Sequence, residues 1–202
     1  MSESYVEESR LTLAEASLGS LLSGGAWNPS LPSGVKPRQI GDDLWSSAFD
    51  KDQLDDRPLY WQRLALSRSL RELGAGSSDL LEFELASRGM LGNQFSAGAT
   101  YRVLVTGFDP FHLDDHIEQG NPSGVVALQH QHKQIALGAE RAEIRSMIFP
   151  VRYKDFDEFL VERVLETFTD KVDMVITVSM GRTGFDLERF PGRRRSVSTP
   201  DN

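Results

Sequence analysis

No cysteine occurs among the 202 residues of this chain. That absence excludes disulfides, thiolate metal sites and a cysteine nucleophile within these residues. No stretch approaches the roughly 18 consecutive apolar residues that a membrane-spanning helix needs. The opening, Met1 to Glu8, is acidic and lacks the charged-then-apolar order of a secretory signal. Positive charge is also scarce: Lys and Arg number 22 against 30 Asp and Glu, for a net charge of −8 and a pI near 5.0. Surfaces that grip phosphate backbones are usually basic, so nucleic acid is not an expected partner. The one dense basic run, Arg193-Arg194-Arg195, reads as a solvated or ion-paired loop. These absences lead to an expectation of a cytoplasmic protein with no membrane and no nucleic-acid partner.

What the chain does have is a hydrophobic fraction of 39% and 9% aromatic residues, enough for a packed core. Its pattern divides it into residues 1–98, a helical N-terminal extension, and residues 99–202, part of an α/β domain. Charge does not separate the two: the first half has 14 acidic and 9 basic side chains, net −5, and the second 16 and 13, net −3. In the first half, Leu11, Leu13, Ala14, Leu18, Leu21 and Leu22 mark an amphipathic helix. The three prolines between Asn28 and Pro37 mark an irregular connection. A second helix starts after Asp56, with Pro58 in its first turn, and carries Leu59, Trp61, Leu64, Ala65, Leu66 and Leu70 up to Leu73-Gly74. A third runs from about Ser78 to Ser87 and ends at Gly89. Trp45, Tyr60 and Trp61 read as core. Residues 92–100, small and polar, read as a linker.

The second half alternates strand and helix. Tyr101 to Thr106 is a β-branched, apolar strand ended by Gly107. Asn121-Pro122 is an N-cap followed by a first-turn proline. Ala142 to Val151 is a second strand. Tyr153, Phe156, Phe159, Leu160, Val164, Leu165 and Phe168 share one helical face. Met174 to Val178 is apolar without alternation, as expected for a strand covered on both faces. A β-α-β-α-β order implies an α/β fold with a parallel sheet and right-handed crossovers. Functional groups in such sheets collect at the carboxyl ends of the strands.

The first of these ends reads Thr106-Gly107-Phe108-Asp109-Pro110-Phe111, followed by Asn121-Pro122-Ser123. Gly107 permits a sharp exit from the strand. Phe108 and Phe111 bring two rings to a sheet end, either as core cover or as walls for a small flat ligand. Asn121 offers an amide that donates and accepts. This segment resembles the pyroglutamyl peptidase I family, whose first strand ends in Thr-Gly-Phe-(Asp/Glu)-Pro-Phe and leads to Asn-Pro-Ser. Phe149-Pro150-Val151 resembles the family's second strand end. Val178-Ser179-Met180-Gly181-Arg182 with Leu187-Glu188-Arg189 resembles its third strand and the following glutamate. Thr199-Pro200-Asp201-Asn202 is similar to the family's Ile-Pro-Asp-Asn. The resemblance covers about residues 100–202 and matches the first half of the family domain.

The resemblance implies a three-layer α/β peptidase fold, incomplete at its C-terminus. It also implies a cysteine hydrolase that removes N-terminal pyroglutamate from peptides, with no cofactor and no metal. In that chemistry a thiolate attacks the amide, a histidine moves the proton and a carboxylate orients the histidine. Glu188 matches the acidic catalytic position, Phe108 and Phe111 the aromatic walls of the pyroglutamyl pocket, and Asn121 a polar position beside it. The cysteine and histidine of the family lie in its second half, so the expectation is an N-terminal portion of a longer protein, inactive alone. There are four departures. The loop after the third strand is shorter by two, with Met180 near the family's glutamine. Val151 replaces a common threonine, Ser198 replaces an arginine, and the loop from His112 to Gly120 is longer.

Other readings stay open. His112, Asp114, Asp115 and His116 suggest a metal site, a solvated acidic loop or a gating loop. His130 and His132, two apart, read as surface histidines. Glu188, flanked by Arg182 and Arg189, also fits a structural ion pair. The alternative function is a non-catalytic binding or interaction module. Its partners are either a second copy, through the exposed sheet edge, or a C-terminal portion that completes the sheet.

Overall fold

The computed structural model describes residues 9–16, 34–48, 54–168, 172–181, 184 and 186–190. Outside them lie Leu18, Leu21 and Leu22 of the first expected helix, most of the proline-rich connection, Arg182, the arginine run, Ser198 and the Thr199–Asn202 match.

Four helices come first: α1 (residues 9–16), α2 (Pro37–Ser47), α3 (Arg57–Glu72) and α4 (Ser77–Ala86). Helix α3 begins with Asp56 as N-cap and Pro58 in its first turn, where a missing N–H costs nothing. It ends where Gly74 takes a left-handed φ of 85°. The remaining elements are β1 (Tyr101–Phe108), α5 (Pro122–His130), β2 (Gln134–Leu137), β3 (Glu140–Phe149), α6 (Tyr153–Asp157), α7 (Leu160–Glu166) and β4 (Met174–Thr177). The sheet order is β2-β3-β1-β4. Strand β1 sits between β3 and β4 and is parallel to both, so the expected β-α-β-α-β core is present.

The sheet is mixed rather than wholly parallel, because β2 pairs antiparallel with β3. This edge strand is a hairpin arm turned at Gly138, and every one of its residues is exposed. Without a buried face it carries no two-residue alternation, so the sequence pattern does not reveal it. Strand β4 also departs from expectation. Its apolar run suggested cover on both faces, yet Met174, Val175 and Ile176 are 56%, 46% and 40% exposed. The stretch from Tyr153 to Phe168 is not one helix. It breaks between α6 and α7 at Phe159, which takes a left-handed φ of 62° and lies exposed.

Two cores sandwich the sheet. On one face Leu104, Met147 and Phe149 pack with Met90 and with Val164 and Phe168 from the α7 region. On the other, Ile148 joins Ala127 and Leu128 of α5, Leu59, Leu66 and Leu70 of α3, Phe83 of α4, and Ile40, Leu44 and Trp45 of α2. The helical half is therefore a packed layer of the same core. A third cluster holds α1 against α3 through Leu11, Ala14, Tyr60 and Trp61. Trp45, Tyr60 and Trp61 are all core, as their surroundings in the sequence suggested.

Residues 92–100 are bonded to β3 rather than free. The Asn93 amide donates to the Ser146 carbonyl at 2.6 Å and to the Gly89 carbonyl at 3.1 Å. The Ser96 N–H and hydroxyl both donate to Glu143, and Arg145 donates to the Gln94 carbonyl. Burial alone would raise the Glu143 carboxyl, but the Ser96 bonds and Arg145 outweigh it and hold it below its ordinary value. Small polar composition signalled a connection. It did not signal that the connection's polar groups satisfy a strand.

Gly107 is where β1 and α5 meet. A Cβ there would stand 2.2 Å from the Ser123 carbonyl oxygen and 2.7 Å from its carbon. Backbone cannot retreat as a flexible side chain does, so this contact requires glycine. Gly107→Ala is expected to cost roughly 1–3 kcal/mol of stability, or more if α5 cannot shift. Urea unfolding checks this, and an unchanged midpoint would show that the close approach is not tight.

Candidate ligand site at the strand ends

The site grows out of three chain segments that leave the sheet on the same edge. Strand β1 exits through Gly107 into Phe108-Asp109-Pro110-Phe111. Strand β3 exits through Phe149-Pro150 into Val151-Arg152. Strand β4 exits into Ser179-Met180-Gly181. Helix α5 starts beside them: Asn121 Oδ1 caps it by accepting from the Ser123 N–H at 3.0 Å and the Ser123 hydroxyl at 2.8 Å. The Ser123 hydroxyl in turn accepts from the Phe108 N–H at 3.1 Å. The Asn121 Nδ2 donates to the Asp109 carbonyl at 2.9 Å.

Phe108, Phe111, Asn121, Val151 and Met180 line one small cavity of about 140 Å³. Three of the four residues expected in the site thus meet, together with two of the four places where this sequence departs from the pattern of the family it resembles. The cavity is apolar and open to solvent. Phe108 also stacks on Phe156 at 6.3 Å and contacts Phe149, so it serves core and wall at once. Phe111 packs on the His112 ring at 4.6 Å. Asn121 is 1% exposed and its amide is engaged with Asp109 and Ser123, so it shapes the wall. Glu188, the expected acid, lies exposed in residues 186–190 and does not line the cavity.

Asp109 is the buried centre of an ion cluster. Arg63 Nη1 donates to its two oxygens at 3.0 and 3.1 Å, and Arg88 Nη1 donates at 2.5 Å. Arg63 also reaches Ser87, and Arg88 reaches Glu84 through Nε and Nη2 at 3.0 and 2.7 Å. Glu84 accepts from Arg152 at 2.8 Å, and Arg152 from its Nε reaches Asp155 at 2.6 Å. Three guanidinium groups thus face three carboxylates. Burial alone would raise Glu84, but Arg88, Arg152 and Arg63 hold it far below the ordinary carboxylate range. Burial disfavours the charge on Arg88, yet Asp109 and Glu84 more than offset it and keep its pKa above the usual guanidinium value. Arg63 is lowered by burial and by Arg88. The sequence reading missed these residues. One signal was available: Arg63 is the only charged residue from Leu59 to Leu66, on a helix otherwise ready for burial.

A second anchor is Asp56, whose two oxygens accept the Asn121 N–H at 3.1 and 3.0 Å. It also walls an open groove of about 520 Å³ with Leu54, Arg57, Glu118 and Val126. This groove is larger than the cavity, but it does not lie among the aromatic strand ends. Burial pushes the Asp56 carboxyl up to about 7; the Asn121 N–H opposes the rise and nearby Asp109 adds to it.

In the histidine-containing loop Asp114, Asp115 and His116 are exposed, as the reading of a solvated acidic loop expects. Asp114 is clamped by Arg10 at 2.6 and 2.8 Å, and Leu113 is buried against the α1–α3 cluster. No group of three or more potential metal ligands assembles among the described residues. His130 points its Nδ1 at the Val126 carbonyl at 2.8 Å. No helix among the described residues is long and apolar enough to cross a membrane.

A family described as "PA0049, C-terminal domain" matches residues 102–202. A curated relative, "Uncharacterized protein PA0049" of Pseudomonas aeruginosa, is 32% identical over 188 residues, covering 74% of this chain and 34% of the relative. The chain therefore spans about a third of that relative's length. The matched share exceeds residues 102–202 alone, so the likeness reaches into the helical layer. No solved structure matches.

Asp56 yields a pH prediction. Its folded pKa lies above its ordinary value of 3.8, so the folded chain keeps a proton that the unfolded chain releases. That contribution to stability is complete below the ordinary pKa and is lost as pH rises through about 7. Asp56→Asn removes the dependence, so from about pH 4 to about pH 8 the variant is expected to gain roughly 2–4 kcal/mol relative to the parent. Parallel pH–stability curves in urea would contradict the assignment.

Proposed function

The chain belongs to the family of the PA0049 C-terminal domain, and from that premise we propose that it carries the ring-binding half of a pyroglutamyl-peptidase-like hydrolase site. The observation that supports this most is the gathering of Phe108, Phe111, Asn121, Val151 and Met180 around one apolar cavity of about 140 Å³. A pyroglutamyl lactam has apolar faces and an edge with one donor and one acceptor, and it is small enough for such a space. Phe108 and Phe111 sandwich the ring faces, Met180 and Val151 close the sides, and Asn121 holds the β1 exit against α5.

In this reading the 202 residues bind and the thiol comes from elsewhere, because the chain has no cysteine. In the whole protein, a thiolate attacks the pyroglutamyl carbonyl and forms an acyl-enzyme. The peptide amine leaves with a proton from a histidine, and water then releases pyroglutamate. Glu188 is the proposed orienting carboxylate for that histidine, reached from the exposed segment after β4. The exposure of Met174, Val175 and Ile176 favours a second reading, association through the open sheet edge. Sedimentation equilibrium over a range of concentrations tests it, and a monomer throughout would remove self-association.

The test of the first reading uses L-pyroglutamyl-amidomethylcoumarin with the purified chain. Binding by calorimetry without release of the fluorophore is expected. Phe111→Ala is expected to weaken binding about tenfold or more, a loss of about 1.4 kcal/mol or greater. The corresponding prolyl compound, with a charged ring nitrogen, is expected not to bind. Absence of binding, or affinity untouched by Phe111→Ala, would overturn the ring site. Turnover by this chain alone would overturn the thiol mechanism.

A further inference from the structure

We infer that the helical layer is the positioning device of the strand-end cavity, with Asp56, Arg63, Glu84 and Arg88 as its positioning residues. The inference rests on the preceding reading only for the nature of the ligand.

Three of the four segments that line the cavity are gripped by an ionisable side chain of the helical half. The β1 exit is held at Asp109, next to Phe108, by Arg63 and Arg88. The start of α5 is held at Asn121 by Asp56. The β3 exit is held at Arg152, next to Val151, by Glu84. The main chain joins in, since the Ile148 N–H donates to the Arg88 carbonyl at 3.0 Å. These contacts are not surface pairs: Asp56, Arg63, Arg88, Asp109 and Asn121 are each at most 3% exposed.

Loops leaving parallel strands have freedom that the strand register does not remove. Charge-assisted bonds in a dry setting remove it, because a displaced partner leaves a buried charge unsatisfied. The guanidinium fork adds direction: Arg63 spends one arm on Ser87 and another on Asp109, and so sets the distance between α4 and the β1 exit. Asp109 then passes that position on, because its carbonyl receives the Asn121 amide. Removing any one tether therefore displaces cavity walls that the removed residue does not touch.

Arg63→Lys, Arg88→Lys and Glu84→Gln test this in the whole 202-residue chain. Lysine keeps the charge and loses the fork. The readouts are the methyl resonances of Val151 and Met180 in the cavity, with Ile135 and Leu137 of β2, paired with the start of β3 at the far end of the sheet, as references, and affinity for L-pyroglutamyl-amidomethylcoumarin. Variants that still unfold cooperatively are expected to shift Val151 and Met180, to leave Ile135 and Leu137 in place, and to bind the probe about tenfold more weakly or worse. A purely structural role predicts a lower melting temperature with unmoved cavity methyls, and that result overturns the inference. If the lysine variants do not fold, Glu84→Gln, at the partly exposed end of the cluster, decides it through Val151. If the parent chain binds no probe, the ligand class falls, while the methyl shifts still decide the positioning role.

Discussion

A carboxylate shut away from water between two guanidinium groups is the constraint on which the rest of this molecule turns. Asp109 is 3% exposed and sits on the β1 exit, while Arg63 and Arg88 come from the helical layer. Their net contribution to stability is not where their importance lies, because desolvation consumes much of the attraction of a buried pair. Their effect is on geometry. Removing one partner strands the others in a low dielectric, so the arrangement tolerates little displacement. Glu84 and Arg152 extend the same logic to the β3 exit. The α/β half and the helical half are joined by ions as well as by apolar packing.

The cavity follows from this arrangement. Its walls come from β1, α5, β3 and the residues after β4, and no two neighbouring strands alone would close it. Gly107 lets α5 approach β1, Ser123 ties that approach to the Phe108 N–H, and Asn121 spans cap and loop. Phe108 belongs to the core below and to the wall above, which couples the cavity to the α6–α7 face. Polar side chains here are spent on holding one another, leaving an apolar surface for a ligand.

The sheet is uneven in its protection. Strand β3 is buried along most of its length, β2 is a short exposed arm, and β4 exposes apolar side chains on both faces. A parallel sheet is normally covered on both faces. The matched relative is about three times as long as the matched share. An open apolar edge beside the cavity suits the proposal that this chain holds one part of a larger site.

Much of this was legible in the residue order. Helical periodicity located α3, Gly89 marked the end of the α4 segment, Asn121-Pro122 located the start of α5, and the Thr106–Phe111 and Asn121–Ser123 segments pointed to the place where the cavity forms. These are local signals: a cap, a turn or an apolar stripe is defined by neighbours within a few positions. The tertiary structure alone decided which charges are buried together, because Arg63 and Asp109 stand 46 positions apart and Asp56 and Asn121 stand 65 apart. It also decided that residues 92–100 serve β3, that β2 exists without an alternating pattern, and that β4 lies open. Each of these depends on what packs against a segment, and a segment's own composition does not carry that information.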